Sequence, residues 1–292
     1  MNPSILRSPD GAYLVQTEDG TFSLAEAWAL VESDAPAPCC FADLLSRYVL
    51  RTARLEELSE AWRASGMPFL PPRPLRAPPF RPRKILALGR NYAAHAREMG
   101  AAPAAPFFFD KLPSCCIGHG MPIEIPHDLE GPVHHEAELA VVIGRTGRRI
   151  PVDRAMDHVA AYCAINDVTA RGLQAKAKEK GKPWTAAKNL DTFAPLGPGL
   201  VPADAIEDVG ALRVICRVNG EVRQDGNTKD MLLPVPETIA HLSRHLTLEA
   251  GDLIATGTPA GVGGIEAGDV VEVEIAGIGI LKNPVRGEES GS

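Results

Sequence analysis

The sequence predicts an α+β protein that is mostly β, with a small helical segment ahead of the main body, and three observations carry this. A β-branched run, Glu136-Ala137-Glu138-Leu139-Ala140-Val141-Val142-Ile143-Gly144, is followed about thirty residues later by a second apolar stretch, Ala161 to Asp167, and both read as buried strands. The C-terminal third reads as strands around Asn219-Gly220, the strongest short hairpin signal. Pro68 to Pro82 holds seven prolines in fifteen residues, which supports neither helix nor central strand. Together these place a small N-terminal accessory domain at 1–67, a linker at 68–83, the main domain at 84–286 and a tail at 287–292.

In order along the chain, Ala12 to Gln16 and Thr21 to Leu24 flank Glu18-Asp19-Gly20 as a hairpin. Ser23-Leu24-Ala25-Glu26 has the capping-box form and starts a helix to about Glu32. One longer helix is expected from Phe41, Leu44, Leu45, Tyr48 and Val49 through Leu55, Leu58 and Trp62, with Gly66 as its stop. Past the linker, Lys84 to Leu88 reads as a strand, and Asn91 as the cap of a short helix, Tyr92 to Met99. That helix is Ala-rich and bracketed by glycines, so Gly89 to Pro106 is expected to close over a site as a lid. A helix over Val168 to Lys180 ends at Gly181 and Pro183. Later come strands at Val214 to Val218, Glu221 to Arg223, Asp252 to Ala255 and Val270 to Ile275, with a helix at roughly Pro236 to His245 between them.

The 292 residues, 45% hydrophobic and 23% charged, are enough for one large domain plus a small one. A net charge of −7 and no basic cluster beyond Arg145 to Arg149 argue against nucleic acid or an anionic membrane as partner, and point to a small molecule. The start, Met1 to Gly11, lacks an apolar core, and no apolar run reaches the length of a span, so a cytoplasmic protein is expected. Six cysteines without C-x-x-C spacing read as reduced thiols. The glycine loop Gly257 to Gly264 lacks a phosphate-binding lysine, and Asp225 to Asp230 lacks the glycine a calcium loop requires.

Two residues apart on one strand, Glu136 and Glu138 share a face, with Cα atoms roughly 6.6 Å apart. With Asp167 ending the next strand, three carboxylates converge, a donor set for Mg²⁺, Mn²⁺ or Ca²⁺ rather than Zn²⁺. The competing reading is an edge strand with solvated glutamates. His95 and Glu98 share a helix face at i,i+3, either as a general base oriented by a carboxylate or as an exposed ion pair. Arg171 and Gln174 stand four and seven residues beyond Asp167, a cation and an amide suited to a substrate carboxylate and carbonyl. Lys188, in a mildly apolar stretch, is either a surface lysine or part of the site.

Taken together, the blocks from about Lys84 to Val285 resemble the fumarylacetoacetate hydrolase family. They are Gly89-Arg90-Asn91-Tyr92 with His95 and Glu98, Phe109 to Lys111, Glu136-Ala137-Glu138-Leu139, Asn166 to Arg171 with Gln174, Lys188 with Asp191-Thr192-Phe193, Val218-Asn219-Gly220 with Gln224, and Thr256-Gly257-Thr258-Pro259 with Gly261 and Gly263. The resemblance implies twisted, packed β-sheets with peripheral helices, a homodimer, and Mg²⁺ or Mn²⁺ held by Glu136, Glu138 and Asp167. It implies that His95 with Glu98 activates water, that Lys188 stabilises an oxyanion, and that Arg90, Tyr92, Arg171, Gln174 and Thr258 position substrate. Gly181-Lys182-Pro183-Trp184 is most similar to the acylpyruvate and fumarylpyruvate hydrolase branch, which implies hydrolytic C–C cleavage of a β-diketo acid in aromatic catabolism. Oxaloacetate-type decarboxylation or dienedioate isomerisation at the same metal is the alternative, and a non-catalytic binding protein the third reading. Gly172, His135 and Leu112 depart from the family pattern near the pocket.

Overall fold

The computed structural model describes residues 1–71, 77–98 and 107–288. In chain order the strands are β1 Ser4–Arg7, β2 Tyr13–Thr17, β3 Gly20–Ser23, β4 Ile85–Gly89, β5 Phe107–Lys111, β6 Cys116–Ile117, β7 Ile123–Ile125, β8 Val133–His135, β9 Ala137–Ile143, β10 Val159–Asn166, β11 Thr169–Ala170, β12 Ala194–Pro202, β13 Arg213–Val218, β14 Glu221–Asn227, β15 Leu253–Ala255, β16 Gly263–Ile265, β17 Val270–Ile275 and β18 Gly279–Gly287. The helices are α1 Leu24–Val31, α2 Phe41–Ser46, α3 Thr52–Ser65, α4 Ala93–Glu98, α5 Arg171–Glu179, α6 Thr185–Lys188 and α7 Val235–Ser243.

Among the described residues, ten strands form one mixed sheet in the order β3-β2-β1-β12-β10-β9-β15-β4-β5, with β6 added to β12. A five-stranded sheet, β14-β13-β17-β18-β7, packs on one face of it, and β11-β8-β16 closes one end. The reason lies in the strands themselves. Along β9, Leu139, Val141 and Ile143 point into the layer shared with Val214, Cys216, Val271 and Val273 of the smaller sheet. Ala140 and Val142, on the other face, meet a second core that contains Trp28, Leu55, Leu58 and Trp62 from α1 and α3. A strand buried on both faces needs the near-continuous apolar run seen in the sequence. The mostly β, packed-sheet fold is therefore as expected.

Local differences have local causes. The expected long helix is two helices, because Tyr48 takes φ +54 and Val49 N–H returns to the Leu44 carbonyl, closing α2 before α3 begins. Glu136 is not in a strand. Its N–H donates to the Asn166 side chain at 2.9 Å and its carbonyl accepts Asp167 N–H at 2.8 Å, which fixes it in the step between β8 and β9. The helix expected from Val168 begins at Arg171, since Thr169 and Ala170 pair with His134 and Val133 as β11. Strand β1 was not foreseen. It pairs with β2 and, through Ile5 opposite Leu200, joins the N-terminal hairpin to β12.

Candidate active site

Strand direction gathers the site at one end of the large sheet. Strands β9 and β10 are antiparallel, with Ala137 opposite Asn166, so the start of one adjoins the end of the other. Strands β4 and β15 run parallel to each other, and β15 runs antiparallel to β9, which brings Gly89 and Thr256 to the same end.

Carboxylate oxygens of Glu136, Glu138 and Asp167 there lie within 4.8 Å of one another, and all three residues are buried. Lys188, at the end of α6, donates to Glu136 Oε2 at 2.8 Å and to Asp167 Oδ2 at 2.6 Å. Arg171 donates to the other Glu136 oxygen and to Gln174 Oε1, and its Nε–H to His134 Nδ1 at 3.2 Å. Lys111 places its ammonium 2.8 Å from Asp167 Oδ1 and donates to the Lys188 carbonyl. Glu138 differs. Its Oε2 accepts Gly257 N–H at 2.8 Å, and among the described residues it makes no ion pair.

The electrostatics follow. Burial alone would raise the Glu136 carboxyl, but Lys188 and Arg171 outweigh it and hold Glu136 well below the usual carboxylate range. Burial pushes Glu138 well above that range, and the Asp167 and Glu136 charges push it further. Burial would lower Lys188, yet Asp167 and Glu136 keep it raised. Burial and the Arg171 charge bring His134 down to about 4, so it stays neutral beside Arg171. Three converging oxygen donors, one of them a buried carboxylate that no cation pairs among the described residues, fit a hard divalent ion.

Two backbone amides brace these groups, and both come from glycines. Gly257 takes φ +91, and a Cβ there would lie 2.8 Å from the Asn91 Cβ. Gly261 takes φ +99 against the Arg223 carbonyl, and its N–H donates to Glu98 at 3.0 Å. Glu98 in turn accepts from His95 Nδ1 at 3.1 Å. A carboxylate on Nδ1 fixes the proton there and leaves Nε2 as the basic nitrogen.

A cleft is lined by His95, Glu136, Glu138, Lys188, Arg90, Arg171, Gln174 and Thr258. Asp167 and Glu98 stand behind it, against Lys188 and His95. Tyr92 does not line the cleft. It is 2% exposed, with a hydroxyl that has no hydrogen-bond partner and a phenol pushed up by burial. Asn91 does not cap α4 either: its side chain ties the Leu233 backbone to the Thr256 carbonyl. Of the expected lid, 99–106 lies outside the described residues.

Sequence reasoning gave no separate role to Lys111, whose signal was a lysine ending an aromatic strand, or to Gln224. The Gln224 Oε1 accepts from Ala137 N–H and from His135 Nδ1, both at 3.0 Å, while Nε2 donates to Thr258 Oγ and the Pro259 carbonyl. Thr258 closes the network by donating to the Ala137 carbonyl between the two glutamates.

No helix among the described residues is long and apolar enough to cross a membrane. Residues 84–286 match the model of the family described as fumarylacetoacetate (FAA) hydrolase C-terminal. The mitochondrial oxaloacetate decarboxylase of Dictyostelium discoideum is 46% identical over 198 residues, 67% of this chain and 90% of that one. A fumarylacetoacetate hydrolase structure from psychrophilic Exiguobacterium antarcticum aligns with TM-score 0.81 and 35% identity, covering 99% of this chain and 100% of that chain. The structure of fumarylpyruvate hydrolase from Pseudomonas aeruginosa, in complex with Mn²⁺ and pyruvate, aligns with TM-score 0.69 and 37% identity over 76% of this chain and 100% of that chain. Carboxylate cluster, packed sheets and the matched span all agree: this chain is an enzyme of the fumarylacetoacetate hydrolase family.

Proposed function

We propose that this enzyme moves a proton at the carbon beside the keto group of a small 2-keto acid, through an enolate. The observation that carries the reading is that His95, its tautomer set by Glu98, lines the same cleft as Glu136 and Glu138. Glu136, Glu138 and Asp167 would hold Mg²⁺ or Mn²⁺, which would supply Lewis-acid chemistry at the substrate's keto oxygen. Arg171 and Gln174 orient the substrate, and Lys188 faces the oxygen on which charge develops. His95 Nε2 gives or takes the proton.

Decarboxylation of an oxaloacetate-type acid is the first reaction to test, in keeping with the Dictyostelium relative. The C–C bond to the leaving carboxylate breaks to release CO₂, its electron pair forms the enolate, and His95, having taken a proton from solvent at Nε2, gives it to that carbon. Hydrolysis of a β-diketo acid is the second reading, favoured by the dyad itself and by the pyruvate-bound relative. There His95 takes the proton of water as its oxygen bonds to the distal carbonyl carbon, and the cleaved bond leaves its pair on the enolate. Residues 1–67 are read as an accessory unit that extends the large sheet, and the working form as a homodimer.

Oxaloacetate and acylpyruvates with Mg²⁺ or Mn²⁺ test this. Turnover is expected, with kcat about 10²- to 10⁴-fold lower in His95→Ala. Heavy oxygen from water in the released acid marks hydrolysis. No turnover on either class, or a His95→Ala enzyme within about two-fold of wild type, refutes the reading.

A further inference from the structure

Outside the cleft, the described residues hold one other group of converging metal-binding side chains: Cys39, Cys40 and Asp43, where the loop after α1 runs into α2. One donor atom from each lies within 4.8 Å of the other two. Both cysteines are exposed free thiols, and none of the three residues lines the cleft.

The local chain sets this arrangement. Cys40 has extended backbone, φ −142 and ψ 168, before the chain turns into α2, and Asp43 reaches back from three residues on. Its Oδ2 accepts the Cys39 N–H at 3.0 Å and the Cys39 thiol at 3.2 Å. Those bonds, the amide first, hold the Asp43 carboxyl below the usual carboxylate range, so it is charged at neutral pH. Arg47 is turned elsewhere: its guanidinium donates to the Pro36 carbonyl and lies 5.7 Å from the Trp28 ring centre.

Donor chemistry then picks the ion. Two thiols and a carboxylate are a softer set than Glu136, Glu138 and Asp167, and thiolate ligands favour Zn²⁺ and its d¹⁰ relatives over Mg²⁺ or Mn²⁺. Zn–S contacts of about 2.3 Å and Zn–O contacts of about 2.0 Å set tetrahedral donors roughly 3.5 to 4 Å apart. Three donors already within 4.8 Å reach that spacing by small side-chain rotations.

We propose that Cys39, Cys40 and Asp43 form a second metal site, for Zn²⁺ or a like thiophilic d¹⁰ ion, independent of the carboxylate cluster. On binding, each thiol gives its proton to solvent and its sulfur bonds the ion. Asp43 exchanges the hydrogen bond from the Cys39 thiol for a bond to the metal, and water fills the fourth position. The ion ties the end of the α1–α2 loop to α2, whose Leu44 is buried in the second core.

Cd²⁺ is the probe, because thiolate-to-Cd²⁺ charge transfer absorbs in the ultraviolet and carboxylates give no such band. The full chain, kept reduced with a phosphine and saturated with Mn²⁺, should develop this band to an end point at about one equivalent of Cd²⁺, and Zn²⁺ should bleach it. Cys39→Ser or Cys40→Ser should weaken Cd²⁺ binding at least about 100-fold, and Asp43→Asn about 10-fold with the band retained. Mn²⁺ affinity of all three variants should stay within about two-fold of wild type. A band that survives in the Cys39→Ser, Cys40→Ser double variant arises from other thiols and overturns the proposal. So does a band that forms only in large excess of Cd²⁺, which marks an adventitious ion only. Wild-type Cd²⁺ affinity in Asp43→Asn refutes the three-donor site, and Mn²⁺ affinity that falls with the thiols refutes its independence.

Discussion

Glu138→Gln should stabilise the metal-free protein, although it alters a carboxylate that is 1% exposed at the centre of the site. Among the described residues Glu138 has no ion pair, and burial together with Asp167 and Glu136 raises its pKa well above the ordinary 4.5. A group raised in the folded state contributes stability that is fully present below its unfolded value and is lost as pH rises through the folded value. At pH 7 the cost is at most that of keeping the proton on, about 1.36 kcal/mol for each of 2.5 units, or roughly 3 kcal/mol. Glutamine carries no charge and still offers an oxygen to the Gly257 amide. At about 2 °C per kcal/mol for a chain of this size, the metal-free Tm should rise by as much as about 6 °C at pH 7. The difference should vanish as pH falls toward 4.5. With Mn²⁺ the order reverses, because only the wild type gains the third anionic ligand. Thermal scans of chelator-treated and Mn²⁺-loaded proteins across this pH range read all three effects. A metal-free variant that melts below wild type at pH 7 would show that Glu138 is already compensated, and the argument would fail.

The pairs around it act in the opposite sense. Lys188→Met removes one of the two cations that face each of the buried carboxylates Glu136 and Asp167, leaving Arg171 and Lys111, and should cost about 3 kcal/mol without metal, measured by urea unfolding, with partial recovery in Mn²⁺. Because Glu136 is held below the ordinary carboxylate range, its contribution is present above that range and lost as pH falls through the depressed value; the variant should lack this acid-sensitive part of the unfolding profile. Gln224→Leu leaves the Ala137 N–H and the His135 ring without their acceptor and should cost about 2 kcal/mol, with weaker Mn²⁺ binding by titration because the link between Glu136 and Glu138 loosens.

How much of this was legible depended on whether a signal was local. The strand β9, the Asn219-Gly220 hairpin and the His95–Glu98 pair announced themselves because side-chain periodicity and turn chemistry act over a few residues. The convergence of Glu136, Glu138 and Asp167 was within reach for the same reason, although spacing put Glu136 on the strand and the structure puts it one step before. Lys111 was not legible as a partner of Asp167: a lysine ending Phe107–Lys111 acquires meaning only when β5 is set beside β4 and α6. Tyr92 erred the other way, since adjacency to Asn91 in sequence says nothing about which side of the chain faces the cleft. The split between α2 and α3 was hidden because the apolar spacing continues through Tyr48 while the backbone does not.

The pairing of β1 with β12 also bears on self-association. Strand β12 is buried at eight of its nine positions, and without β1 its second half would present unpaired backbone groups on an apolar ribbon, a template for a neighbouring chain. The N-terminal hairpin occupies that row, and the outermost strand becomes β3, four residues long, with Thr21 bridged to Leu70. A short, largely covered margin thus replaces a sticky one, and the first twenty-odd residues act as a guard against misassembly far from the carboxylate cluster.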